Sequence, residues 1–147
     1  MKFSKKQIDR YSRQIILKKI GIIGQKKLLK SSVLIVGAGG LGSPVAIYLA
    51  ALGIGKIGIV DYDKVEISNL ARQIIFTNSD INKKKSTAAI SKLKQINPDI
   101  KFKSFKKKLT SKNINHIAEN FDLIVDGSDN FKTRFLINDF CLMKKKF

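Results

Sequence analysis

The sequence predicts an α/β fold: a Rossmann-like, mostly parallel sheet with helices on both faces and an N-terminal helical arm. Three observations carry this. Wholly apolar segments at residues 33–36, 57–60 and 123–125 lack the alternation of a half-solvated strand and suit strands covered on both sides. Segments with helical spacing lie between them, the pattern of parallel strands joined by crossover helices. A glycine-rich turn ends the first strand and opens a helix.

Each element follows in order. Ser4-Lys5-Lys6-Gln7 is a capping box, in which Ser4 caps a helix and Gln7 reaches back. Ile8, Tyr11, Ile15 and Ile16 then recur at helical spacing, and a second short helix fits residues 22–30. Together these form the arm, residues 1–30, and the nucleotide-binding domain takes residues 31–147. After the strand at 33–36, residues 41–52 form a helix, and residues 57–60 form the next strand. A helix over 86–96 is stopped by Asn97-Pro98. Residues 100–105 alternate apolar side chains with lysine, which suits an edge strand. A short helix over 114–119, a buried strand over 123–125 and a helix over 130–145 complete the chain.

Composition narrows the function classes. The apolar run at 45–54 is far shorter than the roughly 18 residues of a membrane span, so it reads as a buried helix. The first six residues are followed by no apolar run, so no secretory signal is expected. One cysteine, Cys141, excludes an internal disulfide and a four-cysteine zinc site, and the expected setting is cytoplasmic. Cys141 reads as a core residue and His116, the single histidine, as surface. The net charge of +18 is the unusual feature. Its lysines are dispersed, from Lys5-Lys6 through Lys83 to Lys85 and Lys106 to Lys108 to Lys144 to Lys146, and no aromatic residues alternate with them in a stacking pattern. A solvated basic surface is expected, with neither nucleic acid nor membrane as partner.

The strongest chemical signal is Gly37-Ala38-Gly39-Gly40-Leu41-Gly42, a G-x-G-x-x-G turn between strand and helix. Gly37 permits the turn, Gly39 and Gly40 let backbone amides approach a phosphate, and Gly42 lets the helix pack closely. The helix N-terminus adds free N–H groups and partial positive charge. Asp61 follows about 20 residues later at a strand end, where an acid hydrogen-bonds ribose hydroxyls. This set alone does not separate NAD from ATP. Downstream lie Ser68-Asn69-Leu70-Ala71-Arg72-Gln73, then Lys85, then Asp126, Ser128, Asp129 and Asn130. Cations that neutralise phosphate oxygens and a hard carboxylate for a metal suit a triphosphate with Mg²⁺. Each residue alone is equally compatible with a bland role: Arg72 as a surface arginine, Lys85 as one of a solvated triplet, Asp129-Asn130 as a helix cap.

Taken together, Arg10-Tyr11-Ser12-Arg13-Gln14, the glycine turn, Asp61, residues 68–73, Lys85 and residues 126–130 stand in the order and spacing of a known family. The chain resembles the ubiquitin-activating-type adenylyltransferases, whose bacterial members act in the molybdopterin and thiamine pathways. The resemblance covers essentially the whole sequence. It implies that the glycine turn and Asp61 hold adenosine, and that Ser68, Asn69, Arg72 and Lys85 surround the triphosphate. Asp129 would bind Mg²⁺ with Asn130 beside it, and Arg13 would reach into a partner subunit's site in a homodimer. The implied reaction is adenylation of the C-terminal glycine carboxylate of a ubiquitin-like sulfur carrier protein by ATP, releasing pyrophosphate. Other expectations are a nucleotide-binding fragment without catalysis and an NAD-binding oxidoreductase.

Two departures stand out. The family usually carries glycine and proline just before its lysine, at the places of Asn82 and Lys84 here. The family's later strands, carrier groove and zinc-binding Cys-x-x-Cys pairs have no counterpart before Phe147. The C-terminal part of the family fold is therefore expected to be missing, and this chain alone is not expected to adenylate a carrier.

Overall fold

A computed structural model describes residues 3–147. Met1 and Lys2, the first residues of the expected arm and of the segment read as lacking a signal, lie outside the described residues. The arm consists of α1 (Lys5–Ile15) and α2 (Gly21–Lys30). The capping box at Ser4 and Gln7 forms as the sequence predicts. Then follow β1 (Ser32–Val36), α3 (Gly42–Leu52), β2 (Lys56–Val60), α4 (Lys85–Ile96), β3 (Lys101–Phe105), α5 (Ile114–Ala118), β4 (Leu123–Asp126) and α6 (Phe131–Lys144). Two single-turn 3₁₀ helices, Ile67–Asn69 and Asn78–Asp80, lie between β2 and α4 and have no forerunner in the sequence reading.

The sheet has four parallel strands in the order β3-β2-β1-β4. The apolar run of β1 is explained by alternation between two covered faces. Val33 and Ile35 join Ile57, Ile59 and the small residues Ala46, Ala50, Ala88 and Ala89 of α3 and α4. Leu34 and Val36 join Ile124, Phe121, Ile117, Ile137 and Phe140 on the side of α5 and α6. Burying one such aliphatic side chain contributes roughly 1.5–3 kcal/mol, so both faces specify the register.

Two sequence expectations change. The strand over 123–125 is not fully covered: β4 is an edge strand, and Leu123 is 38% exposed. With β1 as its one neighbouring strand, its outer N–H and C=O groups are not taken up by the four-stranded ladder, although the Ile124 N–H donates to the Phe147 carbonyl at 2.7 Å. The apolar run in α3 is covered on one face only, since Ala46 and Ala50 are buried while Tyr48 is 70% exposed. Among the described residues no helix is long and apolar enough to cross a membrane.

The arm is tied down by polar contacts. Asn97 Nδ2 donates to the Tyr11 hydroxyl and to the Ala50 carbonyl, each at 2.9 Å. Arg10 Nη1 donates to the Ile96 carbonyl at 2.8 Å, and Gln25 Nε2 to the Leu52 carbonyl at 2.9 Å.

The loop between β2 and α4 is held by Asp80, which is 3% exposed. Burial pushes its pKa up, but the Thr77 N–H and hydroxyl and the ammonium groups of Lys92 and Lys83 outweigh it and bring the pKa down to about 2. A carboxylate with a lowered folded-state pKa stabilises the fold above its unfolded pKa and loses that contribution as pH falls through the folded value. From 3.8 to about 2, the contribution is about 2 kcal/mol. Asp80→Asn should therefore be about 2 kcal/mol less stable than the parent at neutral pH. Denaturant melts should show this gap closing between about pH 5 and pH 2, and a gap independent of pH would contradict it.

Candidate functional site

The strand order reverses at β1. The chain steps from β1 to β2 to β3, then crosses back to place β4 on the other side of β1. Loops leaving β1 and β4 diverge at such a point, and open α/β sheets bind ligands in the resulting crevice. A cleft of about 720 Å³ lies there, at the carboxyl edge of the strands.

The glycine turn forms its floor. Gly37 takes φ +90°, a left-handed conformation that favours glycine. Gly42 is buried under the turn, and a Cβ there would lie 1.9 Å from the Gly37 carbonyl oxygen. Helix and turn thus touch backbone to backbone. Gly39 and Gly40 face the cleft instead; a Cβ on Gly39 would meet Gln73 at 3.8 Å and one on Gly40 the side chain and carbonyl oxygen of Arg72 at 3.6–3.8 Å, ordinary contact distances, so the fold itself does not demand glycine at these two positions. The first turn of α3 has no side-chain cap. The Ser43 N–H is taken by the Gly39 carbonyl at 2.9 Å and Pro44 has none, so the amides left for an anion are those of Gly40 and Leu41 in the turn itself.

Asp61 ends β2 and is 8% exposed. Its Oδ2 accepts the Ala38 N–H and its Oδ1 the Asp63 N–H, each at 2.8 Å. It therefore clasps the glycine turn as well as lining the cleft. Burial raises its pKa, opposed by those two N–H groups and the Lys85 charge. Each carboxylate oxygen keeps a further lone pair for a ligand hydroxyl.

The loop after β2 places the cations. Arg72 is exposed, with Nη1 donating to the Ser68 carbonyl at 3.2 Å and its stem beside Gly40. Lys85 opens α4 and is 7% exposed. Its N–H donates to the Asp63 carbonyl at 2.9 Å, and its ammonium pairs with the Asp63 carboxylate at 3.3 Å. Asn82, at a place where the resemblance implies glycine, takes φ +68°. Asparagine is among the few residues that tolerate this conformation, so the turn before Lys85 survives the replacement.

The loop after β4 brings Ser128, Asp129 and Asn130 to the cleft. Asn130 caps α6, its Oδ1 accepting the Thr133 N–H at 3.0 Å. Asp129 has no capping role. It is exposed, and its one hydrogen bond among the described residues is a 3.4 Å contact from Asn130 Nδ2. Among the described residues no three metal-binding side chains converge. A lone carboxylate facing this cleft nevertheless fits Mg²⁺, which keeps several waters and takes one or two carboxylates plus substrate phosphates.

Gly37, Gly39, Gly40, Asp61, Asn69, Arg72, Lys85, Asp129 and Asn130 all line this cleft. Four expected residues do not. Gly42 packs beneath the turn. Ser68 turns its hydroxyl toward Glu66 and contributes its carbonyl to Arg72. Asp126 accepts the N–H and hydroxyl of Ser128, shaping the loop from outside. Arg13 lies exposed on α1, away from the cleft of its own chain. Gln73, quoted in the 68–73 run but given no role there, also lines it, as do Tyr62, Asp63, Lys107, Lys108 and Arg134, which sequence reasoning missed. Arg134 sits one helical turn after the cap Asn130, a spacing that could have found it.

Residues 11–147 match the ThiF family. The chain belongs to the ThiF family. Among its ThiF-type relatives, the adenylyltransferase and sulfurtransferase MOCS3 of Anopheles gambiae is 49% identical over 99% of this chain and 33% of its own length. The sulfur carrier protein adenylyltransferase of Thermus thermophilus is 44% identical over 99% of this chain and 54% of its own. The chain thus spans between a third and just over half of these relatives. In structure, Escherichia coli tRNA N6-threonylcarbamoyladenosine dehydratase, TcdA, solved in complex with ATP, superposes with a TM-score of 0.93 at 24% identity, over 99% of this chain and 60% of that one. E. coli MccB with MccA-N7isoASN superposes with a TM-score of 0.83 at 29% identity, over 93% and 42%. The Rossmann-like fold is shared throughout.

Proposed function

We propose that this chain is the nucleotide-binding unit of an ATP- and Mg²⁺-dependent adenylyltransferase that activates the C-terminal carboxylate of a ubiquitin-like sulfur carrier. One observation carries the reading. The glycine turn, Asp61, Arg72, Lys85 and Asp129, contributed by successive loops, line a single cleft at the switch point of the sheet. The identities of 44–49% to adenylyltransferases point to the carrier as substrate class. Within this reading, residues 1–30 are an arm and residues 31–147 the nucleotide-binding domain, acting in the cytoplasm.

Asp61 accepts ribose hydroxyls. The turn amides, Arg72 and Lys85 hold phosphate oxygens, with Asn69 and Asn130 at the margins. Asp129 would hold Mg²⁺, whose contribution is to neutralise phosphate charge. The carrier carboxylate attacks the α-phosphorus, and pyrophosphate leaves with the electron pair of the α–β bridge bond. Nucleophile and leaving group are both anions, so no proton transfer and no protein nucleophile are needed. Positioning and charge neutralisation account for the rate. Arg13, absent from its own cleft, acts in the cleft of a second copy in a homodimer.

ATP with Mg²⁺ at about 100 times its Kd should stabilise the chain by about 2.7 kcal/mol, roughly 10 °C in a thermal shift. NAD should give little. A larger shift with NAD than with ATP would favour the oxidoreductase reading and overturn this one. The carrier assignment is tested separately, in a complete enzyme that carries this sequence, by mass spectrometry for the acyl-adenylate of a carrier ending in Gly-Gly.

A further inference from the structure

Gln73 follows Arg72 in the loop after β2 and lines the cleft while being only 3% exposed. Its backbone is fixed, with the N–H donating to the Asn69 carbonyl at 2.9 Å. Its side-chain Oε1 is buried with no hydrogen-bond partner among the described residues. An orphaned buried amide oxygen costs stability, and native folds seldom keep one without a use. Turning the amide over would not remove the cost, because a donor would then be buried in place of the acceptor.

The other end of the carboxamide supplies the use. Outside the glycine and its two chain neighbours, Nε2 is the one heavy atom among the described residues within 4 Å of the point a Cβ on Gly39 would occupy, at 3.8 Å. The neighbouring Arg72 stands in the same relation to Gly40, its Cγ 3.6 Å from that glycine's would-be Cβ. Two consecutive side chains thus face two consecutive glycines of the turn, one a cation and one a neutral N–H donor. A phosphate offers only acceptor oxygens, which match both.

We propose that Gln73 is a phosphate-binding residue of the cleft, its Nε2 donating to a phosphate oxygen lodged against Gly39. This rests on the nucleotide reading above and adds a neutral donor to its charged set. The fold keeps the unpaired Oε1 because the same carboxamide serves the ligand.

The test uses Gln73→Leu, which removes both the donor and the orphaned oxygen. Binding of ATP and of adenosine is measured by calorimetry on the purified chain, alongside thermal melts. A lost hydrogen bond to a charged acceptor weakens ATP roughly tenfold. Adenosine, with no phosphate, should bind unchanged, and the melting temperature should stay level or rise. A scaffold role would move the other way, with a lower melting temperature and parallel losses for both ligands; that result overturns the proposal. So does ATP binding within twofold of the parent. Should Gln73→Leu fail to fold, Gln73→Met keeps an unbranched side chain of similar length and reads the same outcomes. A parent chain that binds no ATP would instead sink the nucleotide reading on which the proposal stands.

Discussion

In a complete enzyme that carries this sequence, Asp129→Ala is expected to lower carrier-dependent ATP–pyrophosphate exchange by about 10³-fold, while leaving the stability of this chain within about 0.5 kcal/mol of the parent. Both halves follow from its surroundings. Its carboxylate is exposed and accepts only the 3.4 Å contact from Asn130, so the fold loses almost nothing with it. Among the described residues it stands in no cluster of three metal-binding side chains. If it is the carboxylate that holds Mg²⁺, its loss leaves phosphate charge uncompensated, an effect of several kcal/mol, and about 4 kcal/mol is roughly 10³ in rate. Asn130→Ala is the contrasting variant. It removes the α6 cap, which costs about 1 kcal/mol of stability, and should lower the exchange far less than Asp129→Ala, since Asn130 stands only at the margin of the phosphate site. Exchange is read as radiolabelled pyrophosphate entering ATP across a Mg²⁺ titration. Near-normal exchange in Asp129→Ala would show that the metal is held elsewhere.

Local chemistry made much of this molecule legible in sequence. The Ser4–Gln7 box and the Asn97-Pro98 stop are decided within a few residues, and both mark helix ends here. The apolar run of β1 reports cover on both faces whatever provides it, and two helical layers do. What failed to show depends on distant partners. Strand order is not a local property, so nothing in Leu-Ile-Val at 123–125 revealed that β4 would sit at an edge. The apolar helix α3 does not state which of its sides meets the sheet, and Tyr48 lies on the other. The 3₁₀ turns are held by side chains folding back on their own backbone, as in Asn69 to the Glu66 N–H and Asp80 to the Thr77 N–H, at residues with weak helical signals.

The same division runs through the cleft. Residues set by the turn and by strand ends, Gly37, Asp61 and Asp129, were readable because strand ends meet at one edge of a parallel sheet. Lys107 and Lys108 looked like one more solvated lysine run, yet the end of β3 carries them to the same edge. Lys108 lies 5.6 Å from the ring centre of Tyr62, itself a cleft residue. Asp61 illustrates a second blind spot. Its spacing suggested a ribose acid, but not that both oxygens would brace the glycine loop through Ala38 and Asp63. Replacing it would therefore disturb loop and ligand together, so it separates the two roles poorly.

Glycines of the turn separate them well. Gly42→Ala should cost about 3 kcal/mol or more, although alanine for glycine inside a helix ordinarily stabilises by up to about 1 kcal/mol. The sign reverses because the added methyl would sit 1.9 Å from the Gly37 carbonyl oxygen and 2.9 Å from its carbon, with Ile35 at 3.4 Å behind. Those first two neighbours are backbone, so no rotamer change relieves the clash. Either α3 lifts from β1 or the turn shifts, and Gly37 at φ +90° has little freedom to follow because its own Cβ position already faces the Gly127 carbonyl at 2.8 Å. Since the turn also floors the cleft, ATP binding should fall with stability. Gly40→Ala makes the opposite pattern. Its methyl would meet only Arg72, at 3.6 Å or more, so the melting temperature should barely move. The methyl would, however, occupy the side from which a phosphate approaches the turn amides, and ATP should weaken by roughly tenfold or more. Denaturant melts and ATP titrations on the two variants read both effects. If Gly42→Ala proved as stable as the parent, helix and turn would not be in the contact described; if Gly40→Ala bound ATP normally, the phosphates would not lie over this turn.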